Sequence, residues 1–158
     1  MKHSLKTGFS FGVTSAIITT LGLMVGLNSS THSKLVVIGG ILTIAIADAF
    51  SDALGIHVSE ESENKHTVKE IWESTAFTFL AKLIFTLTFT IPVLLLPLST
   101  AIIVSIIYGL FLLGICSFFM AKGQNTKKLT VITEHLTIAL LVIILTHYFG
   151  NWIRDNFH

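Results

Sequence analysis

The chain has 158 residues, of which 52% are hydrophobic and only 12% are charged, and its formal net charge is +1 at pH 7. Soluble domains carry about a quarter charged residues, so this composition argues against a water-soluble globular protein. A charge near zero argues against nucleic acid as a partner, and the single cysteine excludes a disulfide framework within one chain.

Five apolar segments predict an all-α polytopic membrane protein that forms one transmembrane domain over residues 1–158 within a lipid bilayer. Each segment approaches the ~20 residues that an α-helix needs to cross ~30 Å of hydrocarbon. Pro92 and Pro97 lie between the third and fourth segments and favour a tight reversal there. The predicted spans cover about 8–27, 35–57, 74–96, 98–120 and 129–150.

The distribution of lysine and arginine predicts a cytoplasmic N-terminus. With that orientation the outer segments hold only Lys34 and Arg154. The inner segments hold seven basic residues, namely Lys2, Lys6, Lys65, Lys69, Lys122, Lys127 and Lys128. Cytoplasmic connections carry the excess of basic residues in membrane proteins, so we expect the N-terminus inside and the C-terminus outside.

Small residues recur along the first segment, where Gly8-x-x-x-Gly12 and Gly22-x-x-x-Gly26 stand four residues apart. This spacing allows two helices in a membrane to approach closely. The pattern favours packing within the chain and leaves a subunit interface as the alternative.

Acidic residues are concentrated in one part of the chain, because seven of the nine lie between positions 48 and 73. Asp48 and Asp52 fall inside the second predicted span, one helical turn and about 40° apart. A carboxylate within hydrocarbon costs several kcal/mol. We therefore expect this pair to face the bundle interior, a partner or a water-filled cavity.

The polar connection after the second span carries Glu60, Glu61 and Glu63. These acids are predicted to form the inner mouth of a cation pathway, where they concentrate cations by electrostatic focusing. Thr67 and Glu70 then match a capping box, which predicts that the third helix begins directly after this connection.

Two more ionisable residues, Lys82 and Glu134, lie at a depth similar to that of Asp48 and Asp52. One interpretation is a buried ion-pair cluster that only fixes helix packing. The other starts from the charge balance, because two or three carboxylates facing one lysine leave negative charge that a bound cation or shared protons would compensate. Oxygen ligands suit Mn²⁺ or Mg²⁺ and tolerate Fe²⁺.

Enzyme signatures are missing from the sequence. It contains no phosphate-binding loop, no nucleophile elbow and no HExxH motif. We therefore predict a protein that is not an enzyme and that uses no organic cofactor.

Two stretches resemble the vacuolar iron transporter family, which includes the plant and yeast vacuolar iron importers and prokaryotic relatives. Residues 11–23, FGVTSAIITTLGL, are similar to the family pattern FGV-N/S-D-G-L-V-S-T-L-G-L. Residues 49–63, AFSDALGIHVSEESE, resemble the family's A-I-S-M-G-x-G-x-Y-L-x-x-x-S-E at the end of its second helix. Five spans with a proline-containing turn after the third also fit.

The resemblance implies a homodimer that moves Fe²⁺ or Mn²⁺ out of the cytoplasm by exchange with protons. It also implies a short, prokaryotic-type member in the cell membrane. The chain departs from the family at its ligands: Ser15 stands where the family has an aspartate, Asp52 where it has a methionine, and Ile44 where it has a glutamate. The family's cytoplasmic metal-binding helices are nearly absent.

The combined prediction is a transporter of a divalent transition metal, which is its substrate. Asp48 and Asp52 would bind the cation with Ser15 as an added oxygen ligand, Glu134 would carry protons, and Lys82 would balance charge. The alternatives are a non-transporting membrane scaffold or subunit with a buried ion-pair cluster, and a transporter of another cation.

Overall fold

The structure, a computed structural model, describes residues 3–122 and 127–157 and contains only helices in that part of the chain. Five helical stretches there are long and apolar enough to cross a membrane, with α3 and α4 together forming one of them. The all-α fold with five potential spans is thus confirmed. The helices are α1 (His3–Thr31), α2 (Lys34–Glu63), α3 (Val68–Thr88), α4 (Thr90–Leu95), α5 (Leu98–Ala121) and α6 (Lys128–Phe157).

Most of the helices extend beyond the predicted spans, because apolar length marks the hydrocarbon crossing and not the helix ends. Helix α2 continues from position 57 to Glu63, where Asn64 adopts a left-handed conformation with φ 53° and ends the helix. Helix α3 begins at Val68, and the predicted capping box is confirmed, since Thr67 and Glu70 exchange side chain–backbone hydrogen bonds.

The reversal between the third and fourth spans occurs at Leu96 and Pro97, and Pro92 lies inside α4. Pro92 has no N–H to donate to the carbonyl of Thr88, four residues earlier. The run of backbone hydrogen bonds along the helix is therefore interrupted where α3 ends. Lys34 closes the turn, because its Nζ donates to the carbonyls of Leu94 and Leu96 at 3.1 Å each. The prediction of a reversal is confirmed, although only one of the two prolines, Pro97, lies at the turn itself.

Helix α1 is the centre of the bundle and packs against α2, α3, α5 and α6. A Cβ atom on Gly12 would lie 2.7 Å from the Thr78 carbonyl of α3, and one on Gly150 of α6 would lie 2.5 Å from the Gly26 carbonyl. Both glycine pairs of α1 therefore pack within the chain, as the favoured interpretation predicts. By contrast, α6 is peripheral and buries only Ala139 and Gly150.

The helices alternate in direction, which gives the bundle two end faces. The N-terminal face holds the starts of α1, α3 and α6 and the ends of α2 and α5. The C-terminal face holds the opposite ends. Contacts between Ser4, Glu60 and Ser74 mark the first face, and a contact between Ser29 and His147 marks the second.

Candidate functional site

The ammonium group of Lys82 lies in the middle of the bundle and is fully buried, with 0% of the side chain exposed. It belongs to a polar face of α3 that repeats every fourth residue, as Ser74, Thr78, Lys82 and Thr86, all of them buried. Residues four apart lie on one side of a helix, and this side of α3 faces α1, because Ser74, Thr78 and Lys82 each donate a hydrogen bond to it. A charged group buried to this degree requires compensation from its neighbours.

Two carboxylates and one hydroxyl supply that compensation. Lys82 Nζ lies 2.5 Å from Asp48 Oδ2 and also pairs with Asp52 Oδ2. It donates to Ser15 Oγ at 2.7 Å, and Ser15 Oγ donates to Asp52 Oδ2 at 2.6 Å. The four residues Ser15, Asp48, Asp52 and Lys82, here called the Lys82 cluster, join α1, α2 and α3.

Exposure differs across the Lys82 cluster. The side chain of Asp48 is 30% exposed and that of Asp52 is 18% exposed, whereas the lysine between them is inaccessible. The carboxylates therefore form the open side of the cluster, and a small cation approaching α2 would meet them first. With all three groups ionised the cluster carries one net negative charge.

The donor set of the Lys82 cluster is small. Among residues 3–122 and 127–157, no three His, Cys, Asp or Glu side chains come together in a way that could hold a metal ion. The cluster offers two carboxylates and one hydroxyl, all of them hard oxygen donors of the kind that Mn²⁺ and Mg²⁺ accept. A cation bound here would complete its coordination with water.

The three acids predicted at the inner mouth do not form one group. Glu60 is buried, with 6% exposure, and its Oε1 accepts a hydrogen bond of 2.8 Å from Ser74 Oγ. Glu61 and Glu63 are exposed, and Glu63 lies 3.8 Å from Lys65 and 3.9 Å from His66. Glu60 thus belongs to the packed α1–α2–α3 contact, and only the other two occupy the solvated end of α2.

Glu134 is separate from the Lys82 cluster. It lies on an exposed part of α6, in a shallow groove lined by residues of the same helix and by Lys127. Its neighbour His135 turns inwards instead, with Nδ1 2.8 Å from Ser117 Oγ of α5. The role of Glu134 as a proton carrier stays a prediction.

Sequence reasoning missed Ser74 and Thr78, which join α3 to the start of α1. Ser74 Oγ lies 3.0 Å from the Ser4 carbonyl, and Thr78 Oγ1 lies 3.3 Å from the Gly8 carbonyl. The signal was available, because hydroxyl residues stand four and eight positions before Lys82. These contacts hold α1 and α3 together and so position Ser15 beside Lys82.

Comparison with protein-family models and with curated proteins finds no match to this chain. The resemblance to vacuolar iron transporters therefore rests on the two sequence stretches and on the five spans with their proline-containing turn, and it stays a prediction.

Proposed function

We propose that this chain is a membrane transporter that moves a divalent transition metal, Fe²⁺ or Mn²⁺, out of the cytoplasm. The proposal rests on one observation above all, a fully buried lysine paired with two carboxylates that remain partly exposed. An ionisable cluster at membrane depth is expensive and usually marks a path for ions. The proposed orientation has a cytoplasmic N-terminal face, and the proposed location is a prokaryotic cell membrane.

Lys82 acts in this proposal as an internal counter-cation. Its ammonium occupies the position between Asp48 and Asp52, where a metal ion would need to bind. Arrival of the metal requires the ammonium to leave, and the two carboxylates then balance the two charges of the ion. Ser15 stays in contact as an oxygen donor. After the ion has left, return of the ammonium restores the starting charge of the cluster, and protons carried by Glu134 are the proposed counter-flow.

Metal flux tests the transport proposal. In proteoliposomes the Asp52→Asn variant is expected to transport Mn²⁺ at least about tenfold more slowly than the wild type, because it lacks one of the two charges that balance the ion. Asp155→Asn is the matched control, since Asp155 is exposed and lies near the end of α6. The proposal would be wrong if Asp52→Asn and Asp48→Asn each transported Mn²⁺ and Fe²⁺ as fast as the wild type.

A structural role is the second candidate function, and the closed hydrogen bonding of the Lys82 cluster favours it. Ser15, Asp52 and Lys82 each contact the other two, as expected of groups that fix three helices in one arrangement. In a scaffold the cluster would bind no metal. The Lys82 variants described in the Discussion separate the two functions.

A homodimer is part of the proposal, and an open face of α2 supports it. Small residues recur there every fourth position, as Gly39, Thr43, Ala47, Ser51 and Gly55, and all are exposed. A Cβ atom on Gly39 or Gly55 would meet no other atom within 4 Å. Such a stripe allows close helix approach within a membrane.

Bulk on the open face of α2 should weaken the dimer. We expect Ser51→Trp to lower the dimeric fraction about tenfold or more in light scattering after size-exclusion chromatography, because the indole prevents close approach of two α2 helices. Ser99→Trp places the same side chain on exposed α5 and should change nothing. A wild-type protein that is monomeric at every concentration would contradict the dimer.

A further inference from the structure

A groove lies between α2 and α3 on the outside of the bundle, towards its N-terminal face. Its volume is about 360 Å³, and neither the Lys82 cluster nor the open face of α2 uses it. This α2–α3 groove is lined by Phe50, Ala53, Leu54, His57, Trp72, Thr75, Ala76 and Phe79. All eight residues lie in helical stretches that are long and apolar enough to cross a membrane, so in a bilayer the groove faces lipid.

Aromatic contacts between the two helices fix the walls of the groove. The rings of Phe50 and Phe79 lie 4.6 Å apart, and those of His57 and Trp72 lie 4.7 Å apart. His57 Nδ1 also lies 3.0 Å from Thr75 Oγ1. Even so, 62% of Phe50 and 60% of Trp72 remain exposed. The rings therefore present apolar surface to an occupant instead of filling the groove themselves.

Two opposite charges stand beyond the end of the groove that is nearest the N-terminal face. Glu61 follows His57 by four residues and continues the α2 wall, and Lys69 precedes Ala76 by seven and continues the α3 wall. Both side chains are exposed. Within residues 3–122 and 127–157, neither of them takes part in an ion pair. The apolar groove thus ends between a carboxylate on one wall and an ammonium on the other.

We propose that the α2–α3 groove binds one phospholipid with a zwitterionic head group. An acyl chain lies along the aromatic walls, the phosphate lies at Lys69, and a primary ammonium of the head group lies at Glu61. Tryptophan is enriched at the level of lipid head groups, and Trp72 is the lining residue nearest to Lys69 along α3. The proposal requires a bilayer around the helices and does not depend on metal transport.

The charges around the end of the groove select the head group. Residues 60–73 hold five acidic residues and two lysines, whereas sites for anionic lipids are clusters of basic residues. An anionic head group would therefore meet excess negative charge. A primary ammonium can donate a charge-assisted hydrogen bond to the Glu61 carboxylate, and the quaternary ammonium of a choline head group has no N–H to donate.

The position of the groove favours lipid over a second copy of the chain. Ser51 and Gly55 of the open face of α2 lie about 100° around the helix from Phe50 and Leu54, so a dimer through that face leaves the groove open. Other grooves lack this combination of features. The one between α4 and α5 has no charged lining residue, and none of the residues that line the one beside Glu134 is aromatic.

Quenching of tryptophan fluorescence by lipids with brominated acyl chains tests the site, because Trp72 lines the groove. The exposed second tryptophan is removed by Trp152→Phe, and the full-length protein in detergent micelles is titrated with brominated phosphatidylethanolamine or phosphatidylcholine. We expect saturable quenching of Trp72 with a midpoint about two- to fivefold lower for phosphatidylethanolamine, the size of one exposed charge contact.

Substitutions at the end of the groove separate the two head-group contacts. Glu61→Gln should raise only the phosphatidylethanolamine midpoint and so abolish the preference. Lys69→Met should raise both midpoints about two- to fivefold, because both lipids carry the phosphate. Glu63→Gln is the matched control, since Glu63 is exposed, pairs with Lys65 and lies on the opposite side of α2 from Glu61.

Four results would overturn the proposal. Equal midpoints for the two lipids, or a preference that persists in Glu61→Gln, would exclude recognition of the ammonium. Quenching that rises with lipid content without saturating would show unspecific contact or a groove covered by a second copy. Tighter binding of brominated phosphatidylglycerol than of phosphatidylethanolamine would indicate a site for anionic lipid instead.

Discussion

Lys82→Met is expected to lower the free energy of unfolding by about 3–5 kcal/mol, the usual cost of removing one partner of a buried ion pair. Methionine approximates the shape of the lysine stem, so the loss comes from charge and hydrogen bonding. Asp48 and Asp52 would face each other at membrane depth without their common counter-charge. Denaturant unfolding in detergent measures the change, and Lys69→Met, on an exposed lysine, should cost little.

Two further substitutions in the Lys82→Met protein show where the lost stability comes from. Asp48→Asn and Asp52→Asn, combined with Lys82→Met, should restore a large part of it, because the triple variant has no unpaired charge in the cluster. An unchanged free energy of unfolding in Lys82→Met itself would mean that the ammonium contributes nothing to the fold. That result would contradict its role as the buried counter-charge.

Added Mn²⁺ then separates the transporter from the scaffold. A ligand that binds only the folded state stabilises it by about 2.7 kcal/mol at a hundred times its Kd. If the carboxylates form a metal site, millimolar Mn²⁺ should stabilise Lys82→Met more than the wild type, since no ammonium competes for Asp48 and Asp52. A scaffold predicts no such difference, and the triple variant should not respond in either case.

The number and order of the potential membrane spans were predictable from sequence because apolar length alone decides whether a segment can span a bilayer. The division of the third span into α3 and α4 was not predicted. The pairing of Lys82 with Asp48 and Asp52 followed as one interpretation of their common depth. Ser15 entered as a candidate only through the family resemblance, since the contact between α1 and α2 depends on how three helices pack. Helix packing is set by side-chain surfaces over the whole length of the helices and not by a local motif.

The burial of Glu60 could have been predicted from its position on α2, although its polarity suggested an exposed residue. The buried face of α2 is marked by Ala45, Ala49 and Ala53. Seven residues after Ala53, Glu60 returns to within about 20° of that face at 100° per residue. Polarity alone grouped it with Glu61 and Glu63, whereas helical position separates it from them and predicts its burial.

Ser15→Asp is expected to bind Mn²⁺ about ten- to a hundredfold more tightly than the wild type. Ser15 Oγ already lies 2.6 Å from Asp52 Oδ2 and 2.7 Å from Lys82 Nζ. A carboxylate at this position raises the net charge of the cluster from one negative charge to two, even with Lys82 in place. Two unit charges about 4 Å apart interact by about 4 kcal/mol near a protein surface, and repulsion among the acids offsets part of this gain.

The neutral variant Ser15→Asn supplies the control, because its side chain has nearly the same shape as aspartate. Calorimetric titration of both proteins with Mn²⁺ at one pH isolates the effect of the added charge. Without metal, Ser15→Asp should also be less stable than Ser15→Asn, since three acids then share one ammonium. Equal Mn²⁺ affinities for the two variants would contradict a metal site beside Ser15 in the Lys82 cluster.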